Sequence, residues 1–447
     1  MKKTETMFSD IDFVDDPDRK VALDCIAAGI RASEPSAVID ERITLDGTVM
    51  TVSDDRYDLS EYGDVLLVGG GNAAATAAKE LETVLGDRID RGVVVTDTPV
   101  ETERIDVLPS DHPIPSERGV ESTRTLLGMT ESAGADDLVL VVVTGGGSAL
   151  MPAPAAGIDL SDLQTTTDRL LTCGADIGEI NAVRKHCSDV KGGQLADVAS
   201  PATVVGLVFS DVVGNRLDVI ASGPLTADGS TFRNAIEVID RYDIDVPDSI
   251  TTRLRRGTEG RYDETPSPGD PSFESVSQYV LADGNTALRS AATVAREGGY
   301  EPLILSSRIR GESREVAKTL TGIAEECADT GIPVEPPAVL LSGGETTVTL
   351  CGDGTGGPNQ EFVLGAALEL TEPSITVASV DTDGIDGVST AAGGIATSEA
   401  ITSTAEARAA LRENDAGGYL DRFDGRLVTG ATGTNVNDLR IFVIPET

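Results

Sequence analysis

The stretch VLLVGGGNAAATAAKELE, residues 65–82, decides the fold class. A run of four apolar residues ends in three glycines, and an alanine-rich segment of helical composition follows. This order predicts a buried strand, a tight turn and a helix, which is the repeating unit of α/β proteins. Gly69, Gly71 and Ala74 also satisfy the G-x-G-x-x-G/A pattern of turns that bind dinucleotides, so NAD-dependent chemistry is one alternative.

Similar units recur along the chain. Further apolar runs end in glycine or aspartate at 92–97, 137–147 and 203–214, with helical patterns at 116–133 and 161–174. A segment rich in Pro, Gly, Ser and acidic residues, 257–275, then interrupts the pattern. Strand-like runs resume at 278–284, 301–307, 338–344, 347–354, 374–384, 425–430 and 438–446. We therefore predict two α/β blocks, with a mostly parallel sheet covered on both faces.

Acidity is the strongest bulk feature of the sequence. There are 75 acidic residues against 35 basic ones, a formal net charge of −40 over 447 residues, and only seven of the basic residues are lysines. Such a chain repels nucleic acid and anionic membranes, so neither is expected as a partner. Molar salt shortens the Debye length to about 3 Å and screens this self-repulsion, so the composition is typical of a halophile that keeps salt inside its cells.

The sequence also indicates a cytoplasmic protein. Its first residues lack the apolar core of a signal peptide, and no run approaches the roughly 18 apolar residues of a membrane span. Five cysteines without a C-x-x-C pair indicate neither a disulfide framework nor a zinc site.

Two glycine-rich segments and one basic cluster point to an anionic ligand. TGGGSAL (144–150) and LSGGETT (341–347) each follow an apolar run, where exposed backbone amides can hold phosphate oxygens. Arg184, Lys185 and Lys191 concentrate positive charge within a few residues of this acidic chain. The plainer alternatives are ordinary turns and a helix surface with charge pairs.

Acidic residues at predicted strand ends suggest a metal. Asp211 ends one strand, and SVDTDGIDG (379–387) carries Asp383 and Asp386 in one short loop. Mg²⁺ binding in kinases needs one or two carboxylates together with substrate phosphates. The alternative is again an ordinary turn, since no EF-hand pattern follows.

Several longer segments are specific enough to identify a family. LVVVTGGGSALMPAPAAGI (140–158), SDVVGNRLDVIASGP (210–224), DTDGIDGVSTAAGG (381–394) and TGATGTNVNDLRIFVI (429–444) resemble the signature segments of glycerate 2-kinases, which carry a C-terminal MOFRL domain. The resemblance implies a Rossmann-like N-terminal domain at 17–256, a linker or surface loop at 257–275, and a smaller α/β MOFRL-like domain at 276–447. It also implies transfer of the ATP γ-phosphate to the 2-hydroxyl of D-glycerate, with Mg²⁺, by a monomer or homodimer.

The same resemblance suggests roles for individual residues. Arg184, Lys185 and Lys191 would neutralise the carboxylate and the transferring phosphoryl group, with Asp211 orienting the substrate hydroxyl or binding metal. Metal is also expected at Asp383 and Asp386. The residues expected along the nucleotide and phosphate path are Gly145, Gly146, Gly147, Ser148, Gly343, Gly344, Glu345, Asn359, Glu361, Thr434 and Asn435.

Two positions depart from the family pattern. Asn72 stands where relatives usually carry a catalytic lysine, and Pro358 stands where they usually carry an arginine. Both changes remove positive charge. The chain could therefore use other cations, phosphorylate another 2-hydroxy acid or be a weakly active homologue. An NAD(P)-dependent hydroxypyruvate reductase and a non-catalytic metabolite-binding protein are the rival classes.

Overall fold

The computed structural model describes residues 7–8 and 16–446, which form two compact units. The central unit comprises residues 38–281, and the terminal unit combines the described residues up to 37 with those from 282 onward. These bounds differ from the predicted 17–256 and 276–447. The N-terminal helix belongs to the terminal unit, whereas the strand that begins at Val276 belongs to the sheet of the central unit.

Strands among the described residues occupy the following ranges: β1 Ile43–Asp46, β2 Val49–Val52, β3 Asp55–Asp58, β4 Val65–Gly70, β5 Arg91–Thr96, β6 Ile105–Pro109, β7 Leu138–Val143, β8 Thr203–Phe209, β9 Val276–Ala282, β10 Glu301–Glu312, β11 Ala338–Thr347, β12 Thr376–Asp381, β13 Gly393–Ala396, β14 Arg426–Leu427 and β15 Asp438–Ile444.

The α-helices occupy the following ranges: α1 Pro17–Ser33, α2 Pro35–Arg42, α3 Ala74–Leu85, α4 Glu117–Glu131, α5 Gly147–Leu150, α6 Leu160–Thr172, α7 Ile177–His186, α8 Gln194–Ala199, α9 Phe232–Arg241, α10 Asp248–Thr258, α11 Gly284–Glu297, α12 Ser313–Thr330, α13 Pro358–Glu369, α14 Thr404–Arg412 and α15 Ala416–Asp421. None of the described helices is both long and apolar enough to cross a membrane.

The central unit contains the predicted parallel sheet. Its six strands lie in the order β6-β5-β4-β7-β8-β9, and β4 pairs in parallel with both β5 and β7. Every residue of β4 and β7 is buried, as expected for strands covered on both faces. This is the strand order of doubly wound nucleotide-binding folds, whose ligands lie at the carboxyl ends of the two strands where the order reverses. Here those two strands are β4 and β7.

Most of the segment 257–275 is a loop, which follows helix α10 and packs on other parts of the central unit. The Glu264 carboxylate accepts a hydrogen bond from the Phe232 amide at 2.8 Å and lies 3.1 Å from Nε2 of His186. The Thr265 hydroxyl donates to Asp228 at 2.9 Å. The central unit also contains an antiparallel sheet of β1, β2 and β3, which the sequence analysis did not predict.

The terminal unit has a mixed sheet in the order β10-β11-β15-β12-β13-β14. Only the β10–β11 pair is parallel, and the other neighbouring pairs are antiparallel. Helix α1 buries Leu23, Ile26 and Ile30 against α11 and the sheet, in one core with Leu439 and Ile441. Together the two units confirm the predicted α/β class.

The strand predicted at 347–354 does not form. β11 ends at Thr347, and the amides of Cys351 and Gly352 donate instead to Oδ1 of Asn414 at 2.7 and 2.9 Å. A side-chain amide therefore satisfies this backbone, so the segment needs no neighbouring strand.

Candidate active site

The turn after β7 collects polar side chains from two other loops of the central unit. A Cβ atom on Gly145 would lie 2.3 Å from Oδ2 of Asp211, and one on Gly146 would lie 2.0 Å from Oδ1 of Asn72. Neither glycine can be replaced without displacing one of these groups. The predicted residues Asn72, Gly145, Gly146 and Asp211 thus meet at the carboxyl edge of the sheet.

His112 also reaches this turn, and the sequence analysis had not assigned it a role. Its Cδ2 atom lies 3.2 Å from the position of a Cβ on Gly146. The amides of Gly145 and Gly146 donate to no carbonyl or side chain among the described residues. Gly146 adopts a left-handed conformation (φ 75°), which glycine tolerates without strain. The turn therefore offers two free donors beside Asn72, Asp211 and His112.

Two of the three predicted cations, Arg184 and Lys191, have no acidic partner in the part of the chain that the structure describes. The Lys191 ammonium is buried and donates to the carbonyl oxygen of Ser148 at 2.7 Å. Burial, and to a smaller extent the neighbouring Arg184, lower the pKa of Lys191 to about 7. Burial also lowers the pKa of Arg184, which has no ion pair among the described residues. These two neighbouring cations can receive a small anion.

Lys185 behaves differently. Its ammonium lies 3.2 Å from Oδ1 of Asp228, and both side chains are almost fully buried. Asp228 also accepts hydrogen bonds from Ser230 and Thr265. Lys185 is therefore committed to a structural ion pair, and the structure does not support its predicted catalytic role.

The Asp211 carboxylate is positioned to act as a base or a metal ligand. It accepts no side-chain hydrogen bond among the described residues, and burial raises its pKa to about 6. At neutral pH the carboxylate is mostly ionised, and it is more basic than an ordinary aspartate.

A chain of hydroxyl groups lies beside Lys191. The hydroxyls of Ser148 and Ser222 are 2.8 Å apart, and Ser222 donates to Oδ1 of the buried Asn181 at 3.2 Å. The sequence analysis found Ser148 but missed Asn181 and Ser222, because isolated small polar residues carry no chemical signature in a sequence.

Close packing between strands explains the glycines of the opening stretch. A Cβ atom on Gly69 would lie 2.0 Å from the carbonyl oxygen of Val142, and one on Gly71 would lie 2.1 Å from Oγ1 of Thr144. The amide of Asn72 donates to the Gly145 carbonyl at 2.9 Å, and the Ala73 amide donates to Thr144 at 3.2 Å. In a dinucleotide-binding turn the second glycine, here Gly71, lets pyrophosphate approach the backbone. Here Thr144 packs against that glycine instead.

In the terminal unit, the predicted loop of Gly343, Gly344 and Glu345 is part of a strand. All three lie inside β11, where Gly344 pairs with Ile309 on one side and Asp438 on the other. The predicted loop is therefore a strand, because the backbone groups of Gly343 and Gly344 pair within the sheet, and the place of these residues on the nucleotide path stays a prediction.

Asn359 and Asp386 form a buried polar network. Oδ1 of Asp386 accepts from the backbone and side-chain amides of Asn359 at 2.9 and 3.2 Å, and Oδ2 accepts from those of Gln360 at 2.9 and 2.8 Å. Asn359 donates in addition to Asp438 at 2.7 Å. Burial raises the pKa of Asp386 to about 6. Asp386 thus caps the start of helix α13, a structural role that leaves neither oxygen free for a metal.

The remaining predicted residues of the terminal unit are Glu361, Asp383, Thr434 and Asn435. Glu361 contacts Asn414, whereas Asp383 contacts Asn435. Glu361 is buried and accepts from Asn414 at 3.4 Å, and burial raises its pKa. Asp383 accepts from the amide of Ile385 at 2.7 Å and from Asn435 at 3.3 Å. Burial also raises the pKa of Asp383. The Thr434 hydroxyl donates to the carbonyl of Ser33.

No group of three or more His, Cys, Asp or Glu side chains that could hold a metal occurs in the described part of the chain. A metal bound by any of these residues would therefore need ligands from the substrate in addition to those of the protein.

Comparisons with known proteins agree with this architecture. Residues 21–255 match the model "Domain of unknown function (DUF4147)", and residues 338–438 match the MOFRL family. A protein of Pyrococcus horikoshii named "Glycerate 2-kinase" is 36% identical over 95% of this chain and 97% of its own length. An Agrobacterium vitis protein named "Putative hydroxypyruvate reductase" is 39% identical over 86% of this chain and 87% of its own.

The crystal structure of a glycerate kinase from Thermotoga maritima is also similar. It matches with a TM-score of 0.84 and 36% sequence identity, covering 95% of this chain and 99% of that one. These matches extend over nearly the whole sequence and include both units. The chain therefore belongs to the glycerate 2-kinase family with a C-terminal MOFRL domain, as its sequence motifs predicted.

Proposed function

We propose that this protein transfers the γ-phosphoryl group of ATP to the 2-hydroxyl of D-glycerate, giving 2-phosphoglycerate and ADP. The observation that carries this proposal is the convergence of Asp211 and Asn72 on the Gly145–Gly146 turn, in a unit that also holds the unpaired cations Arg184 and Lys191. The names of two similar relatives give the same activity.

Arg184 and Lys191 would bind the negative charge of the substrate. Arg184 has no acidic partner among the described residues, and Lys191 donates only to a neutral carbonyl. An arriving carboxylate or phosphoryl group would supply the missing counter-charge in a largely dry environment, where such interactions are strong. These two residues would also supply the positive charge that is absent at Asn72 and Pro358.

Asp211 would accept the proton of the substrate hydroxyl. Its raised pKa, about 6, brings the carboxylate close to the best value for a base near neutral pH. The free amides of Gly145 and Gly146 would donate to phosphoryl oxygens, and Asn72 would add an uncharged donor. Phosphoryl transfer depends mainly on such positioning and charge stabilisation.

Mg²⁺ fits this set of residues. Mg²⁺ is commonly bound by one or two carboxylates together with substrate phosphates, and Asp211 has no competing side-chain partner among the described residues. Binding the ion and accepting the hydroxyl proton are alternative roles for Asp211, because a carboxylate bound to Mg²⁺ loses the raised pKa of a base. When bound, the ion would neutralise charge on the ATP phosphates. Asp386 is a poorer candidate, because its oxygens already accept four hydrogen bonds.

The strongest rival is a hydroxypyruvate reductase, the name given to a close relative. That activity needs a site for the pyrophosphate of NAD(P). The turn after β4 is a poor site for it, because Thr144 occupies the space beside Gly71, the position at which pyrophosphate would approach the backbone. A kinase activity therefore accounts for more features of the site in the central unit than a reductase activity does.

We further propose that the enzyme works in the cytoplasm of a halophile, on small molecules alone, as a monomer or homodimer. The net charge of −40 supports the halophile, because molar salt screens the self-repulsion, and it disfavours nucleic acid and anionic membranes as partners.

The two activities can be separated with one preparation in molar KCl. We expect ADP release that requires both ATP and D-glycerate, and no oxidation of NADH or NADPH by hydroxypyruvate above background. Reductase turnover without glycerate-dependent ADP release would instead establish the rival activity. Binding of ATP or glycerate without turnover would point to a metabolite-binding protein.

A further inference from the structure

We propose that Ser222 and Asn181 fix the Ser148 hydroxyl as a hydrogen-bond acceptor, and that Ser148 thereby selects substrates by a hydroxyl hydrogen that they donate. Within the proposed function, this group is the 3-hydroxyl of D-glycerate. The 2-hydroxyl must face the Asp211 base, which leaves the 3-hydroxyl for Ser148. The inference rests on the proposed kinase activity and adds a specificity determinant to it.

The direction of the hydroxyl chain follows from its last member. Oδ1 of Asn181 carries no hydrogen, so the Ser222 hydroxyl, 3.2 Å away, must donate to it. The Ser222 oxygen can then only accept from Ser148, at 2.8 Å. Because Ser148 has a single hydroxyl hydrogen, only its lone pairs remain for a ligand. An acceptor of this kind repels phosphate oxygens and favours an alcohol.

Ser148 lies where a substrate anion would bind. Its carbonyl oxygen accepts the Lys191 ammonium at 2.7 Å, so one residue joins the proposed anion site to the hydroxyl chain. A three-carbon acid held by Lys191 would bring its hydroxyl groups close to the Ser148 side chain. This role differs from the phosphate contact predicted for Ser148 from the sequence.

The backbone at Ser222 is costly for a residue with a side chain. Ala221, Ser222 and Gly223 have φ values of 49°, 62° and 66°, a run of left-handed residues. The Gly192 amide donates to the Ser222 carbonyl at 3.0 Å, and the Gly193 amide donates to Gly223 at 2.7 Å. These bonds tie the strained run to the segment that carries Lys191. Glycine would adopt this conformation freely, so what serine adds here is its hydroxyl.

Two glycine substitutions separate the hydroxyl from the strain. Ser222→Gly removes both, whereas Ala221→Gly removes strain at the adjacent residue and keeps the hydroxyl. Both variants are expected to fold, because glycine suits a left-handed backbone. The measurement is the dissociation constant of D-glycerate and of D-lactate, which lacks the 3-hydroxyl, by titration calorimetry on each variant and the unmodified protein.

In Ser222→Gly we expect glycerate to bind about tenfold more weakly, the loss of one oriented hydrogen bond, with lactate affinity nearly unchanged. In Ala221→Gly the ratio of the lactate dissociation constant to the glycerate dissociation constant should stay within about twofold of the original. Asn181→Leu should also lower the ratio, because it frees the Ser222 hydrogen to point at Ser148.

An unchanged ratio in Ser222→Gly, or an equal fall in Ala221→Gly, would overturn the inference. Glycerate turnover by the unmodified protein is measured separately. Its absence would refute the kinase, whereas an active enzyme with an unchanged ratio would refute only the role of Ser148.

Discussion

At the scale of single residues, the two lysines of the basic cluster have opposite roles, although the sequence presents them alike. Lys185 is paired with a buried carboxylate, whereas Lys191 is buried beside a neutral carbonyl and a second cation. Pattern alone could place both near a ligand, since they lie six positions apart. Only the fold shows that Lys185 forms an ion pair with Asp228, which lies far along the chain.

Substitution by methionine should separate these roles. Lys191→Met should lower turnover by about 100-fold or more, because it removes charge from the proposed anion site. It should also raise the free energy of unfolding at pH 8 by about 2 kcal/mol. The pKa of Lys191 falls on folding, so at pH 8 the unfolded chain holds a proton that the folded protein largely gives up, and replacing the lysine removes this cost.

Lys185→Met is the matched comparison, measured by urea denaturation and steady-state kinetics. Loss of the ammonium strands the buried Asp228 carboxylate and should cost about 3–5 kcal/mol. Its folded fraction should keep turnover within about threefold of the original. A Lys191 variant that is both less stable and fully active would exclude the proposed anion site.

The pH dependence of kcat/KM should be a narrow bell. Asp211 must lose its proton to act as a base, so activity should rise through a pKa of about 6. Lys191 must keep its proton to attract the anion, so activity should fall through a pKa of about 7. Lys191→Arg should remove the alkaline limb, because arginine stays charged, while the acidic limb remains. An alkaline limb that survives this substitution would assign it to another group.

At the scale of elements, the sequence predicts where most strands and turns lie. It does not predict whether the backbone groups of a glycine segment pair in a sheet or remain open in a turn. The segments after β7 and within β11 both read as an apolar run followed by glycines. The first forms an open turn, whereas the second continues as a strand because β10 and β15 flank it. Pairing with a strand on each side depends on segments that are distant in the sequence, so local composition cannot predict it.

Helix α13 provides a test of one element. Asp386→Ala would leave the first-turn amides of Asn359 and Gln360 without acceptors and should lower the free energy of unfolding by about 3 kcal/mol. Hydrogen exchange in the 358–369 peptide should accelerate. Asp383→Ala, which removes a less buried carboxylate, should cost only about 1 kcal/mol. If α13 kept full protection without Asp386, the proposed cap would be wrong.

At the scale of the whole molecule, the sequence identifies the α/β class and the family, whereas the units follow from packing. Helix α1 lies in the N-terminal part of the chain, yet Leu23 and Ile26 share a core with Leu439 and Ile441. A contact across some four hundred residues leaves no trace in local periodicity. The linker or surface loop predicted at 257–275 is a polar segment that packs within the central unit, and β9 follows it in the same unit.

The charge of the molecule predicts its dependence on salt. With a net charge of −40, lowering KCl from molar to millimolar concentration should reduce the melting temperature by about 10 °C or more, because self-repulsion is no longer screened. Sodium chloride at equal ionic strength should restore most of the loss, which separates screening from a specific potassium effect. A melting temperature independent of salt would contradict adaptation to high salt.

The central claim concerns which oxygen of glycerate receives phosphate, and phosphorus NMR of the product tests it most directly. The protein is incubated with ATP, Mg²⁺ and D-glycerate in molar KCl, and the new phosphorus signal is recorded with proton coupling. Phosphate on the 2-hydroxyl couples to the single proton of that carbon, so the account predicts a doublet. A triplet, from the two protons of the third carbon, or no new signal at all would contradict it.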